Sequence, residues 1–524
     1  MKANRSWIIS LIFGCVGILF VFLTTTPYGP GVSGDAVDYI STADSLKRNL
    51  GFTDYAGEPY IYWPPLYPLL LAGISGLTGL DTVIVGWLLN ALCFGALVYL
   101  TGLLFRLVFG PSSGWFYLSS LATLTSLPLL RLSANISSDP LFIVLVLACA
   151  LLGETYLTSP KTATLLGLTL VAGAAALLRW HGVILVFTVF TIVVLAFVAL
   201  RRNPKAAFWN AIWAGALASL PFALWVFGRN YRLLGSFMGY RDTGGIDLGY
   251  NLDDSVIKIA RWFLPDQVLR YMDPVLLLGG CLLLLILLNR RADWRTFFKM
   301  LAEPKHFPWL VFSPFYYLFV TFTSVGYDHS ASFDDRYYAP LFVFAFLFVA
   351  LVIEGLVFEP LSNRYSFAGR RIALTRAILI LLALVWLAYP SYRLYKYVVV
   401  SRANGEPTYN MYNTASFHRS ALVEYLDSFS FEGGKKLYSN YPAAVYITTR
   451  QTTHRAPISP SGDSADFEGL YSNYSQWPAD TSYLIWFLPN DWFYYYEPED
   501  LARVADLEVL FSSTDGVIYM VENR

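Results

Sequence analysis

Long apolar blocks separated by short polar stretches dominate the first 390 residues. A helix needs ~20 apolar residues to cross the hydrocarbon of a bilayer. Reading the blocks against charged and turn-forming residues predicts about eleven spans, at 7–26, 82–106, 114–132, 140–157, 163–179, 183–200, 207–227, 273–289, 308–325, 339–358 and 373–390. The apolar stretch Leu66–Leu80 follows Pro64-Pro65 and carries Gly73, Gly76 and Gly79. It is too short to cross comfortably and is expected to lie in the interface or to re-enter. Lys2 and Arg5 precede the first block, and no small-residue cleavage site follows it, so an uncleaved span is expected rather than a signal peptide.

The pattern changes after Tyr389-Pro390. Asp, Asn, Ser, Pro and Gly rise, and the runs Lys436–Asn440, Ser482–Leu488 and Leu507–Phe511 read as short strands. Ala415–Asp427 and Pro498–Ala505 read as helices, the second opened by Glu497-Pro498-Glu499-Asp500. The expected fold is an α-helical polytopic membrane protein over residues 1–390, with a first outer loop at 27–81, followed by a small extracytoplasmic α/β domain at 391–524.

Composition agrees: 56% of residues are hydrophobic and 14% charged, against roughly 25% charged in a soluble protein. Lys+Arg and Asp+Glu both number 37, so net charge gives no sign of a nucleic-acid partner. The distribution of charge says more. Lys2, Arg5, Lys161, Arg201, Arg202, Lys205, Arg290, Arg291, Arg295, Lys299, Lys305, Arg364, Arg370, Arg371 and Arg376 fall on one side of the expected spans, which the positive-inside bias makes cytoplasmic. Asp35, Asp38, Asp44, Asp54, Glu58, Asp139, Asp242, Asp247, Asp253, Asp254, Asp334 and Asp335 collect on the other. The protein is thus expected in a cytoplasmic (inner) membrane, with its N-terminus cytoplasmic and the active site and C-terminal domain extracytoplasmic. The four cysteines sit in apolar blocks without metal-ligand spacing and read as small core hydrophobes.

A transporter would carry its unusual side chains in the middle of its spans. Here the spans are mostly clean, and polar density concentrates in the outer loops, which points to chemistry at the membrane surface. Asp35, Asp38 and Tyr39 lie three and four apart, so a helix puts them on one face. A carboxylate held between apolar walls has its pKa raised toward the range where it accepts a proton from a hydroxyl. A helix cap is the competing role. Asp35 with Asp38 could also hold a divalent ion, although nothing in the pattern requires a cofactor.

The order of Asp-x-x-x-Tyr (Asp35, Tyr39), then Trp63-Pro64-Pro65-Leu66, then a surface helix resembles the GT-C superfamily of membrane glycosyltransferases, in its protein mannosyltransferase and aminoarabinose-transferase branch. Ser137-Ser138-Asp139-Pro140, Leu178-Arg179-Trp180-His181-Gly182, Arg229-Asn230 and Asp335-Arg336-Tyr337-Tyr338-Ala339-Pro340 continue the resemblance in chain order, over about residues 7–390. It implies inverting transfer of a monosaccharide from a polyprenyl-phosphate donor, beside membrane lipids, to an acceptor that is a glycan, a lipid or a protein. Asp35 takes the position of the base, with Asp38 orienting the acceptor or sharing a proton. Arg336, and after it Arg131, Arg179, His181 and Tyr39, are candidates for the donor phosphate. Asp139, Glu58, Tyr60 and Trp63 are candidates for the sugar or acceptor. Competing roles are an N-cap for Asp139, a salt bridge to Asp334 or Asp335 for Arg336, a turn residue for His181 and interfacial snorkelling for Arg229. Trp63 stands where the aminoarabinose-transferase branch has a basic residue, so that phosphate contact is missing from the pattern. Asn251–Met272 reads as an amphipathic surface helix. Tyr494–Tyr496 could stack on sugar rings or pack the core of the small domain. A lipid-linked sugar flippase, or a scaffold acting through its outer domain, are the rival functions. A flippase would show transport without an acceptor, and a scaffold would keep its role with residues 391–524 alone.

Overall fold

The computed structural model describes residues 2–110, 113–200, 204–237, 247–271, 294–326, 335–355, 369–405, 412–459, 462, 466–490 and 494–524. The chain divides into two units. One comprises 1–24, 61–66 and 89–399; the other comprises 25–60, 67–88 and 400–524.

The first unit is helical. Among the described residues, six helices are long and apolar enough to cross a membrane: Trp7–Thr25, Thr82–Phe109, Asp139–Thr158, Trp180–Phe197, Lys205–Leu234 and Asp335–Ile353. Thr162–Leu178 is apolar but shorter, and Phe307–Gly326 and Gly369–Asn404 cover two further expected spans. The chain is a multi-pass membrane protein. The expected span at 114–132 is instead two helices, Gly114–Leu124 and Leu127–Ala134. Pro128 stands in the first turn of the second helix, where a missing N–H costs nothing, and it could not continue the first. The expected span at 273–289 lies outside the described residues. The last long helix does not stop at Pro390 but runs on to Asn404.

Hydrocarbon gives little reason for apolar helices to prefer one another, so small residues decide how closely they pack. Gly14 and Gly95 do this between the Lys2–Thr25 and Thr82–Phe109 helices. A Cβ on Gly14 would come 2.9 Å from the Gly95 carbonyl oxygen, and one on Gly95 would come 2.7 Å from that of Gly14.

The second unit is built on a five-stranded sheet: β1 (Leu437–Ser439), β2 (Thr453–Arg455), β3 (Ser482–Phe487), β4 (Ala505–Ser513) and β5 (Gly516–Asn523), in the order β2-β1-β3-β5-β4. β1 pairs in parallel with β2 and β3, while β5 pairs antiparallel with β3 and β4. β3 is apolar at nearly every position because the sheet is covered on both faces. Tyr483 and Ile485 pack with Leu422, Leu426 and Val445. Leu484 and Trp486, pointing the other way, pack with Leu470, Tyr495 and Tyr496. The expected strands appear, the helix at 415–427 as two pieces, Ala415–His418 and Ala421–Ser428, and the helix at 498–505 only as Pro498–Leu501, with Ala505 already opening β4. β2, β5 and the helices Pro442–Thr449 and Phe467–Tyr474 complete it.

Two helices from early in the chain belong to this second unit. Gly34–Lys47 is capped by Ser33, whose side chain accepts from the Ala36 N–H. The capping role considered for Asp35 therefore falls to Ser33. Leu66–Thr78 has 13 residues, about 20 Å at 1.5 Å per residue and too short to span a bilayer.

Candidate functional site

The second unit brings an acidic group together. Asp35 and Asp38 occupy successive turns of the Gly34–Lys47 helix, both half-buried. The Asp38 carboxyl is held well above the usual carboxylate range, first by burial, then by the negative charges of Asp35 and Asp54, with Arg455 opposing. Asp54 anchors a tight turn by accepting from the N–H groups of Ala56 and Glu58 at 2.9 and 3.0 Å, and burial raises its carboxyl as well. Tyr55 next to it hydrogen-bonds the Arg455 side chain and is pushed up to about 12 by burial. Tyr39 is buried, with its ring edge-on to Tyr67 at 5.0 Å. Tyr60 is buried, whereas Glu58 is exposed on the turn.

Arg455 closes β2 and is exposed. Sequence reasoning passed over it, because its relation to Asp38 depends on a strand that was not expected. The trace left in the sequence is the β-branched pair Thr452-Thr453 before His454-Arg455, ended by Ala456-Pro457. Tyr495 and Tyr496, considered for sugar stacking, are buried in the core, while Tyr494 is only half-buried.

A second acid-base network holds this unit together. Asp44 is buried and accepts from Thr82 Oγ1 at 2.5 Å and from the Tyr446 phenol at 3.2 Å. Arg450 reaches Asp44 at 3.2 Å and Asp81 at 3.3 Å. These contacts fasten the Gly34–Lys47 helix to the end of the Pro442–Thr449 helix.

The first unit gathers most of the expected phosphate contacts. Asp139 and Arg179 form a buried ion pair at 2.7 Å, and Arg179 also donates to Ser138 Oγ at 3.1 Å. Asp139 accepts from Ser137 Oγ at 2.6 Å, and its own N–H donates to the same oxygen at 3.1 Å. Neither the N-cap role nor an open carboxylate describes Asp139; its charge is matched by Arg179. Arg336 donates to the Tyr337 phenol at 3.2 Å and lies 5.0 Å from that ring's centre. The alternative partner Asp334 lies outside the described residues. The His181 ring sits among Tyr316, Phe319 and Tyr337, 5.5–6.0 Å between centroids. It is held there by a turn that only Gly182 can make, since any Cβ at that position would overlap the Ala175 carbonyl. Arg131 lies elsewhere in this unit, over the Tyr397 ring at 5.3 Å. Arg229 stacks 4.3 Å from the Trp225 ring within a π-helical segment, Leu224–Asn230. Trp63 is half-buried, and the neighbouring Tyr62 carbonyl accepts from the Trp180 indole at 2.8 Å.

One cation differs from its expected setting. Lys258, read as part of a surface amphipathic helix, is buried and paired with Asp254 at 2.6 Å. Spacing of i and i+4 on the Leu248–Ala260 helix makes that pairing local. A cavity of about 350 Å³ lined by Ala176, Val183, Phe187, Phe190, Gly215 and Phe222 opens among the apolar helices. Among the described residues, no group of three or more His, Cys, Asp or Glu side chains is arranged to hold a metal.

No protein-family model and no curated protein matches the sequence. Solved structures do. The crystal structure of ArnT from Cupriavidus metallidurans bound to undecaprenyl phosphate superposes with a TM-score of 0.60 at 13% identity, over 98% of each chain. The apo form of that protein gives 0.59. The apo oligosaccharyltransferase of Archaeoglobus fulgidus gives 0.50 at 13% identity, over 98% of this chain and 74% of the other. Both are GT-C glycosyltransferases. With the helical first unit and the small C-terminal sheet, this likeness shows that the chain has the GT-C fold.

Proposed function

We propose that this protein is an integral-membrane glycosyltransferase that moves a monosaccharide from a polyprenyl-phosphate donor to an acceptor hydroxyl, with inversion at the sugar carbon. The observation that carries this reading is the Asp35–Asp38 pair, one carboxyl of which holds its proton beyond the usual range, in a fold whose ArnT neighbour was solved with undecaprenyl phosphate.

In a single displacement, the acceptor oxygen attacks the anomeric carbon, the bond from that carbon to the phosphate oxygen breaks, and polyprenyl phosphate departs with the electron pair. Asp35 takes the acceptor's proton. Asp38, whose carboxyl its surroundings hold above the usual range, orients Asp35 or the acceptor through a hydrogen bond. Arg336 is the proposed partner of the departing phosphate, where a guanidinium fork matches developing charge. Arg179 already spends its charge on Asp139 and serves to hold the His181 turn. The displacement as proposed calls for no metal ion. The protein is placed in the cytoplasmic membrane, N-terminus inside, with the carboxylate pair and the C-terminal sheet outside.

The test is release of labelled sugar from a panel of synthetic polyprenyl-phosphate monosaccharides, to water or to added acceptors, by protein in proteoliposomes. Asp35→Asn is expected to lower turnover by about 10²–10⁴ while leaving expression and melting behaviour intact. Unchanged turnover in Asp35→Asn, or no release from any donor by the unmodified protein, overturns the reading.

A further inference from the structure

In open α/β sheets, ligands bind beyond the carboxyl ends of the parallel strands, at the point where successive connections leave for opposite faces. The C-terminal sheet has such a point between β1 and β3. The chain leaving β1 enters the Pro442–Thr449 helix, whose Val445 packs on the face of Tyr483 and Ile485. The chain leaving β3 carries Tyr495 and Tyr496 onto the face of Leu484 and Trp486. Asn440, just past β1, clips the two strand ends together: its side chain accepts from the Phe487 N–H and donates to the Phe487 carbonyl, both at 2.9 Å.

The residues gathered at these strand ends are chemically coherent. Arg455 is the last residue of β2, paired in register with Ser439 at the end of β1, and it hydrogen-bonds Tyr55. The backbone around it is fixed by Thr453 N–H to Tyr55 carbonyl at 2.9 Å, Ala456 N–H to Ser439 carbonyl at 2.9 Å and Ser459 N–H to Tyr494 carbonyl at 2.8 Å. Tyr412 lies near Tyr55, Tyr441, Tyr495 and Asp38, and Tyr495 lies near Tyr55, Tyr441 and Arg455. Tyr412 is itself tied to the start of the Gly34–Lys47 segment, its N–H donating to the Val32 carbonyl at 3.2 Å.

We infer that Asp38, Tyr55, Tyr441 and Arg455, at the carboxyl ends of β1 and β2, form a saccharide-binding subsite that presents an acceptor hydroxyl to the Asp35–Asp38 pair. A hydroxyl-rich ring needs a flat apolar wall for its C–H face together with both acceptors and donors for its hydroxyls. Half-buried tyrosines supply the wall, carboxylates accept, and the exposed guanidinium presents several N–H donors in a fixed fork. A cation fits poorly beside Arg455. An all-apolar ligand would take water from Asp38 and Arg455 without offering either a hydrogen bond in return. The proposed transferase activity enters only in naming the saccharide as the acceptor; the binding itself does not depend on it.

The test is saturation-transfer difference NMR on the full chain in lipid nanodiscs, with cellobiose, maltose and chitobiose as probes. At least one probe is expected to receive saturation, and Arg455→Ala to weaken its binding by about tenfold or more, the scale of a lost charged hydrogen bond. Arg455→Lys keeps the charge but not the fork and is expected to weaken binding several-fold. It serves where the alanine variant fails to fold. Tyr55→Phe, which removes only the hydroxyl that orients Arg455, should have a smaller effect. Absence of saturation transfer to every probe overturns the inference, as does unchanged binding in a well-folded Arg455→Lys. A serine-rich peptide that binds where no saccharide does would also overturn it. Release of sugar from the lipid-linked donor by unmodified protein, measured in the same nanodiscs, reads the transferase proposal separately. Release without saccharide binding refutes the subsite alone.

Discussion

The two units each place an arginine near aspartates, and they use the arrangement for opposite ends. In the helical unit, Arg179 and Asp139 meet at 2.7 Å with side chains only 6% and 4% exposed. Each charge answers the other, and Ser137 and Ser138 take up remaining hydrogen bonds. In the sheet-containing unit, one exposed arginine, Arg455, opposes the raised carboxyls of both Asp38 and Asp54, with Asp35 adding its charge to Asp38. Burial, and then negative charge beyond what the arginine offsets, raises the Asp38 carboxyl above its usual range. A matched buried pair fixes a turn. An acidic group with too little positive charge retains the capacity to move protons.

The contrast breaks first at the matched pair. Arg179→Met leaves Asp139 buried without its cation and is expected to destabilise the protein by about 3–5 kcal/mol, read as thermal unfolding of the nanodisc-embedded protein. Adding Asp139→Leu should recover most of that loss, because two apolar groups replace both charges. If the double variant were as unstable as the single, the pair would be more than a mutual neutralisation. Asp44 sharpens the comparison from within the other unit, since it too is fully engaged. Asp44→Ala strips partners from Thr82, Tyr446 and Arg450 and is expected to cost about 2–4 kcal/mol in the same melt. A negligible change would mean that the Gly34–Lys47 helix is held by apolar packing alone.

How much of this could be read in advance follows from the range of each interaction. The apolar helices are written in contiguous residues, and most appear where hydropathy puts them; the exception, the break at Thr125-Ser126, comes from one proline whose effect depends on where a helix starts. Asp35, Asp38 and Tyr39 share a helix face through spacing alone, and they were legible for that reason. Lys258 was misread because amphipathic periodicity does not say whether a lysine's (i, i−4) carboxylate accompanies it into a buried site. Arg455 was invisible because it sits more than 400 residues from Asp38, and their approach depends on a three-residue parallel strand. Asp44 and Arg450 are likewise joined across 406 positions. Local pattern could identify the carboxylates but not the cations that oppose them.

The smallest expected effect probes the unmatched side directly. Asp38 has a folded-state pKa above its unfolded value, so between those two values the folded protein binds more protons than the unfolded chain. Stability then falls as pH rises through that window, and below the ordinary carboxylate range the effect vanishes because both states are protonated. Asparagine carries no charge at any pH and escapes the penalty. Asp38→Asn should therefore melt above the unmodified protein near pH 8, by about 1–3 °C, with the gap shrinking steadily as pH is lowered toward 4. Arg455→Gln should do the reverse. With its opposing charge removed, Asp38 is pushed higher still, the melting temperature near pH 8 drops, and the pH range over which stability declines extends upward. A gap between Asp38→Asn and the unmodified protein that did not change with pH would place Asp38 among matched groups like Asp139, and the difference between the two units would collapse.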